Sequence, residues 1–455
     1  TGVSLLSWMV PRRSVLVGHL DRDSDRAGLA LIRRWVQAQS PARSSTTHWW
    51  ADELDPEARR AFEALVDSGT IASMIRARHG ERARIRPVPA MNEVYVAGPD
   101  RGESSDRVFY VPHIDGPLAV FPGATLYRCM VAVTPNRRIR THFPMERRGP
   151  DEEVVTLDEA GLLAFDYHRT PHFISAADDE GVDDEEARDE KDGEQRVNLK
   201  LHYVVSPDGL AGWADLLATA SAYYNLRARH LFLDTLVPDR FGARLAARLV
   251  VLQTHLWQWT ARWIGHRNLA LVAALALFSL VAGSPVPFVA GASFLHYLLY
   301  IATYASREQV SFGVFRRDVL FFKSVSMSIL AVLALSAPSW PAVALVLMIA
   351  GFGTAAWAAR TLGADRTWFG AELGLCEPRR VDRAPYGVIP HPMILGSIVG
   401  LVGVSLLEPL REGWPWLVPC HVGFYLLHLA QEVLDLHEQR PRPARSAESR
   451  QAPVA

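Results

Sequence analysis

The residues best suited to chemistry lie in Tyr110-Val111-Pro112-His113-Ile114-Asp115-Gly116-Pro117. His113 and Asp115 are two positions apart, and on an extended strand that spacing turns both side chains to one side. A further histidine would complete a 2-His-1-carboxylate triad, the ligand set of non-haem iron(II) oxygenases. The later stretch FDYHRTPHFI supplies His168 and His172. His172 is taken as the third ligand, with His168 as the other choice. In RVNLKLHYVV, alternation puts Arg196, Asn198 and Lys200 on one face and Val197, Leu199, Leu201 and Tyr203 on the other. A cation on the inward face of a late strand is what binding the carboxylate of 2-oxoglutarate needs, which makes Arg196 and Lys200 the candidates. HxD also arises by chance, so a domain that uses these residues only structurally is the competing reading.

A second set lies near the C-terminus. Gly351-Phe352-Gly353 sits inside an apolar run, followed by Arg366-Thr367-Trp368-Phe369-Gly370. Pro385-Tyr386-Gly387-Val388-Ile389 then leads into His391-Pro392-Met393-Ile394-Leu395-Gly396, and Glu432 follows in LLHLAQEVLD. Glycines let a ligand approach the backbone closely because they lack a Cβ. An ionisable residue inside an apolar span is costly and is a site candidate for that reason. The plainer readings are close helix packing for the glycines and a side chain reaching to water for Glu432. His296, His421 and His428 also fall in apolar runs and are read as packing or polar contacts.

These C-terminal motifs resemble the phospholipid methyltransferase family, which includes phosphatidylethanolamine N-methyltransferases and is related to isoprenylcysteine carboxyl methyltransferases. The resemblance covers roughly the last 120 residues. It implies an S-adenosylmethionine site built from Gly351, Gly353, Arg366, Tyr386, His391 and Glu432, with His391 and Glu432 as the catalytic pair. The family commonly has two adjacent acids where this chain has Gln431-Glu432. Residues 106–206, with YxxHxD, a later histidine and then Arg or Lys, resemble iron(II)/2-oxoglutarate-dependent dioxygenases such as prolyl hydroxylases. That resemblance implies a double-stranded β-helix fold, Fe(II) on His113, Asp115 and His172, and 2-oxoglutarate on Arg196 or Lys200.

Two kinds of element must position these residues. Short β-rich runs bounded by Gly, Pro, Asp and Asn fill residues 106–206 and point to a β-sandwich or barrel, which the dioxygenase resemblance narrows to a jelly-roll-like domain. Within it, the segment 178–194 holds eleven acids and only two bases, Arg188 and Lys191, and is expected to be a disordered loop. Residues 241–264 repeat Leu245, Leu249, Leu252, Leu256, Trp259 and Trp263 at helical spacing, which fits either an ordinary core-packing helix or a helix lying in a membrane interface; the apolar runs that follow favour the second. Apolar runs at 268–284, 287–305, 318–336, 339–360, 387–407 and 414–433 are each near the ~20 residues needed to cross a bilayer. Arg307, Arg316 and Arg317, then Arg360, Arg366, Arg379, Arg380 and Arg383, fall on one side if six spans are counted. By the positive-inside rule that side, and both termini with it, is cytoplasmic.

The whole composition agrees with this division. The chain has 455 residues, 48 Lys+Arg against 49 Asp+Glu and a formal net charge of −1, a balance that gives no support to nucleic-acid binding. Cys129, Cys376 and Cys420 are too far apart for a disulfide framework or a CxxC-type zinc site. The start of the chain shows no secretory signal pattern.

The expected organisation is a helical soluble segment at 1–100 and a jelly-roll domain at 101–210 with the acidic loop at 177–195. A helical linker at 211–265 carries the interfacial helix, a transmembrane methyltransferase domain spans 266–436, and 437–455 is a disordered tail. The expected function is an integral-membrane, S-adenosylmethionine-dependent methyltransferase acting on a lipid headgroup or other membrane-embedded acceptor, fused to a cytoplasmic oxygenase-like domain. The competing readings are a membrane-anchored dioxygenase with a non-catalytic membrane half, and a non-enzymatic membrane scaffold.

Overall fold

A computed structural model of the chain describes residues 13–41, 46–97, 111–119, 121, 123–148, 151–176, 195–236, 252, 255–306, 310–377 and 381–434. Tyr110, the acidic segment up to residue 194 and the C-terminal tail lie outside the described residues. Contacts divide the chain into two units, one comprising Thr1–Ala274, Glu308–Phe321 and Leu373–Leu375, the other the remainder.

The first unit begins with β1 (Leu16–His19), α1 (Asp23–Gln39), β2 (Thr47–Trp50), α2 (Pro56–Val66), α3 (Gly69–His79), β3 (Ala83–Pro87) and β4 (Glu93–Ala97). Local chemistry starts α2: Pro56 occupies its first turn, and the Asp55 carboxylate accepts from Glu57 N at 3.0 Å and Ala58 N at 2.8 Å. Then come β5 (Thr125–Ala132), β6 (Asn136–Arg148), β7 (Asp151–Leu157), β8 (Gly161–Asp166), β9 (Phe173–Ala176), β10 (Arg196–Pro207) and α4 (Ala211–Leu236).

All of these strands pair antiparallel in two sheets. The larger runs β1-β8-β5-β10-β4-β2, with β3 also on β10, and the smaller runs β7-β6-β9. One face of the large sheet is covered by the helices. Val94, Val96, Tyr127, Cys129, Val131, Val197, Leu199, Leu201 and Tyr203 pack there with Leu29, Ile32, Phe62, Leu65, Ile71 and Ile75. The other face meets the small sheet across Ala132, Phe143, Val155, Leu157, Leu163 and Phe165. β8 is therefore buried along its whole length.

This arrangement departs from the division expected at residue 100. The first hundred residues supply four strands of the large sheet as well as its covering helices. Those strands are four or five residues long, too short to show an alternating pattern, and β1 and β2 lie at the sheet edges.

Toward the C-terminus the structure is helical. The elements are α5 (His255–Trp263), α6 (His266–Val281), α7 (Val286–Ala305), α8 (Phe312–Leu335), α9 (Ala342–Leu362), α10 (Pro392–Ser405) and α11 (Leu417–Leu434). Among the described residues, α7, α8 and α9 are long and apolar enough to cross a membrane, and α5 with α6 makes a fourth if the bent pair is one span. α10 is apolar but has 14 residues, ~21 Å at the helical rise and short of a ~30 Å hydrocarbon core. α9 and α10 approach closely through glycine: a Cβ at Gly351 would stand 2.2 Å from Gly400 N and 2.6 Å from Gly396 O.

Candidate functional site

Between the two sheets, His113 and His172 are joined by a reciprocal backbone bridge. His113 N donates to His172 O at 3.0 Å, and His172 N donates to His113 O at 2.9 Å. The bridge sets the two imidazoles 4.5 Å apart, centre to centre. Asp115 completes the group: its Oδ1 is 3.8 Å from His113 Nε2, and its Oδ2 is 3.7 Å from His172 Nε2. One ligand atom from each of the three residues lies within 4.8 Å of the others.

The imidazole tautomers suit a metal. His113 Nδ1 donates to Val111 O at 2.9 Å, and His172 Nδ1 donates to Thr170 O at 3.1 Å. A carbonyl only accepts, so each proton sits on Nδ1 and each Nε2 presents a lone pair toward Asp115. Burial pushes the His172 pKa down to about 4, which keeps that lone pair available at neutral pH. Burial would raise the Asp115 pKa, but Arg128, His172 and His113 outweigh it and hold the carboxyl at about 2. Two imidazoles whose Nδ1 atoms are tied to carbonyls, together with an ionised carboxylate, make up the donor set that iron(II) requires.

His168 goes elsewhere. Its Nε2 bonds Ser221 Oγ at 2.8 Å, and its Nδ1 accepts from Leu118 N at 3.2 Å, so both ring nitrogens are used. Gly116 lies against it: a Cβ there would fall 2.2 Å from His168 Nδ1. The glycine is what lets the HxD turn close over that ring.

The inward face of β10 is polar, as the alternation predicts. Asn198, Lys200 and His202 are buried on it, and the Asn198 side-chain amide has no hydrogen-bond partner among the described residues. Lys200 Nζ is 2.9 Å from Glu93 Oε1 and 3.9 Å from the centre of the Tyr95 ring. Arg196 stands over the same ring at 5.2 Å. The Lys200 charge helps to keep Asp115 ionised. Lys200 therefore suits a carboxylate anchor by position but already has Glu93 as its counter-ion.

Sequence reasoning missed Arg128. It donates to Asp115 Oδ2 at 2.9 Å and to His202 Nε2 at 3.1 Å, and it lies 4.6 Å over the Tyr167 ring. A cation in the middle of the apolar strand Thr125–Ala132 was the available signal. Glu93, which receives Lys200 and also His48 at 3.0 Å, was missed as well.

In the second unit a cavity of about 490 Å³ takes lining from His391, Arg366 and Tyr386. His391 (φ 44°) and Phe369 (φ 63°), which also lines the cavity, are in the left-handed region although neither is glycine. Such residues cost roughly 1–3 kcal/mol and concentrate at functional sites. The cavity also receives His296, Lys323 and His428, which sequence reasoning had assigned to packing or passed over. Neither ring nitrogen of His296 has a partner among the described residues.

Two expected cofactor residues are not part of this lining. Gly351 is occupied by its packing on α10, and Gly353 faces open space, with no atom within 4 Å of where its Cβ would be. Glu432 lies on α11, but its side chain is outside the described residues.

Residues 340–432 match the family model for phospholipid methyltransferase. No curated protein matches the chain. Among solved structures, a prolyl hydroxylase from Trichoplax adhaerens, in complex with a hypoxia inducible factor oxygen degradation domain peptide fragment, is 17% identical; the alignment covers 42% of this chain and 83% of that one, with a TM-score of 0.26. A Pseudomonas putida prolyl-4-hydroxylase is 14% identical over 42% of this chain and 92% of that one, with a TM-score of 0.24. A prolyl 4-hydroxylase from Phytophthora capsici is 11% identical over 61% of this chain and 90% of that one, with a TM-score of 0.27. Residues 340–432 of the chain thus resemble the phospholipid methyltransferases.

Proposed function

We propose that the protein is an integral-membrane, S-adenosylmethionine-dependent methyltransferase acting on a lipid headgroup or another membrane-embedded acceptor, fused to a cytoplasmic iron(II)/2-oxoglutarate oxygenase domain. Six spans with both termini cytoplasmic remain part of this reading. The observation that carries the methyltransferase half is the cavity lined by His391, Arg366 and Tyr386, all from the stretch that matches the family.

Methyl transfer from a sulfonium is an in-line displacement, so the protein's work is mainly alignment and exclusion of water. The cavity gives cofactor and acceptor a common place for that alignment. Arg366 and Tyr386 are assigned to hold the cofactor. His391, fixed at the N-terminus of α10, is assigned to face the reacting centre, and Glu432, as the family resemblance implies, to the ribose hydroxyls or the amine of the cofactor. Membranes containing the protein, incubated with methyl-labelled S-adenosylmethionine, are expected to yield labelled lipid. Label in neither lipid nor protein would overturn this half.

The oxygenase half is supported by the three converging donors and their tautomers. With iron(II) and 2-oxoglutarate bound, the chemistry supplied is R–H + O₂ + 2-oxoglutarate → R–OH + succinate + CO₂. The chain's own residues have distinct tasks. Arg128 keeps Asp115 ionised and oriented, Asn198 offers its amide to the cosubstrate, and Lys200 or Arg196 holds the distal carboxylate. Stoichiometric binding of Co(II) as an iron surrogate, abolished in Asp115→Ala, is the test; binding unchanged by that substitution would sink it.

A further inference from the structure

α5 and α6 meet at 82° across a break at Ile264 and Gly265. α6 is strongly apolar and leaves Leu277, Phe278, Leu280 and Val281 exposed. α6 has 16 residues and counts as a crossing only together with α5; with the 82° bend between them, α6 entering the bilayer steeply leaves α5 close to the membrane plane. The surface of α5 fits that position. Leu252, just ahead of it, is exposed, as are Leu256 (62%), Trp259 (53%) and Trp263 (61%), at helical spacing. Tryptophan is the residue that collects at the boundary between headgroups and hydrocarbon. Arg262, beside Trp263 at 5.5 Å, supplies a cation at the same level.

The same helix forms one wall of a cavity of about 430 Å³. Its opposite wall is Pro112, His113, Ile114 and Pro171, so the cavity borders one candidate metal ligand and the immediate neighbours of the other two. Leu256, Trp259 and Trp263 line the cavity and are also exposed. A volume of this size lies in the ~300–1,000 Å³ range of small-molecule sites.

We propose that this cavity admits the aliphatic chain of a bilayer lipid, and that the substrate class of the His113–Asp115–His172 centre is therefore a lipid chain entering from the membrane interface along α5. The proposal rests on the oxygenase half of the function given above. Leu252, Leu256, Trp259 and Trp263 make this wall mainly apolar, with His255, Gln258 and Arg262 between them; an aliphatic chain gains by covering such a surface, whereas a polar substrate would give up its own hydration against side chains that offer few hydrogen bonds. Arg262, at the rim, is placed to meet a lipid phosphate while the chain points toward His113.

The experiment uses the full chain reconstituted in phosphatidylcholine vesicles that carry a photoactivatable diazirine, either in the acyl chain or on the headgroup. Crosslinks from the acyl-chain probe are expected on the peptide containing Pro112–Ile114, and they should be lost in Leu256→Asp while Co(II) binding is retained. Crosslinks to that peptide from the headgroup probe only, or acyl crosslinks confined to α6 and the later helices, would overturn the proposal. Acyl crosslinks at Pro112–Ile114 in a protein that binds no Co(II) would instead overturn the oxygenase assignment and leave a lipid cleft. Co(II) binding without those crosslinks would leave the metal centre and remove the lipid.

Discussion

Arg128 Nη1 donates to Asp115 Oδ2 at 2.9 Å, and both side chains are almost wholly enclosed between the sheets. The central strand β5 thus delivers a fixed cation to the carboxylate of the candidate metal site. Residues that orient metal ligands are worth ~10–100-fold in metal affinity. Arg128→Met is expected to weaken Co(II) binding by that factor without changing its stoichiometry, as followed by the visible absorption of Co(II). Unchanged affinity would make Arg128 a purely structural partner. Because the substitution also leaves a buried carboxylate without its cation, the metal-free protein should lose stability by ~3–5 kcal/mol.

His168 and His172 are four residues apart, yet they should respond differently to substitution. His172→Ala removes a donor from the converging group and is expected to abolish Co(II) binding. His168→Gln loses bonds to Ser221 and Leu118 and should lower stability while leaving the metal stoichiometry intact. Metal binding that survives His172→Ala and fails in His168→Gln would reverse the assignment.

The same residue carries a pH dependence. Burial depresses the His168 pKa to about 4, against ~6.5 for an unfolded histidine. Between those values the unfolded chain binds the extra proton, so stability rises with pH there. The contribution is complete above ~6.5 and is lost as pH falls through that window toward about 4. Its size is up to roughly 3 kcal/mol. Denaturant titrations of the full chain at pH 7 and pH 4.5 should show a smaller loss for His168→Gln than for the unsubstituted protein. An equal loss in both would assign the acid sensitivity to other groups.

Glu93 sets the charge that a cosubstrate meets. Burial works against its ionisation, but Lys200 and His48 outweigh that and hold its pKa well below the usual carboxylate range. An incoming dicarboxylate must therefore share Lys200 with a charged neighbour. Glu93→Gln is expected to tighten 2-oxoglutarate binding to the metal-loaded protein, and Lys200→Met to weaken it, both read by calorimetric titration. If Lys200→Met leaves the affinity unchanged, Arg196 is the anchor.

Parts of this site were legible in the sequence, for identifiable reasons. HxD is a local spacing, so His113 and Asp115 could be paired without knowing the fold. The inward face of β10 followed from simple alternation, and Asn198 and Lys200 lie where period two puts them. The choice of His172 over His168 depended on a backbone bridge spanning more than fifty residues of sequence, which no local pattern encodes. Arg128 and Glu93 come from other strands, and their roles exist only through cross-strand register: Arg128 opposes His202, and Glu93 opposes Lys200. In the helical C-terminal part, Gly351 and Gly353 look alike in sequence, and only the position of α10 tells them apart.

That difference between the two glycines is testable. Gly351 has the backbone of Gly396 and Gly400 where a side chain would go, with the nearest atom 2.2 Å from an added Cβ. Backbone atoms on a packed helix cannot swing aside as the end of a flexible side chain can, so Gly351→Ala must push α9 and α10 apart. Gly353→Ala meets nothing within 4 Å. The expectation is that Gly351→Ala lowers the thermal transition of the purified protein in detergent, whereas Gly353→Ala leaves it unchanged. Cofactor affinity then separates packing from binding. If Gly353 provides close approach for S-adenosylmethionine, Gly353→Ala should weaken binding of the labelled cofactor while the thermal transition stays in place. If both properties survive Gly353→Ala, the second glycine of the motif has no part in the cofactor site, and the cavity lined by His391, Arg366 and Tyr386 would hold the cofactor without it.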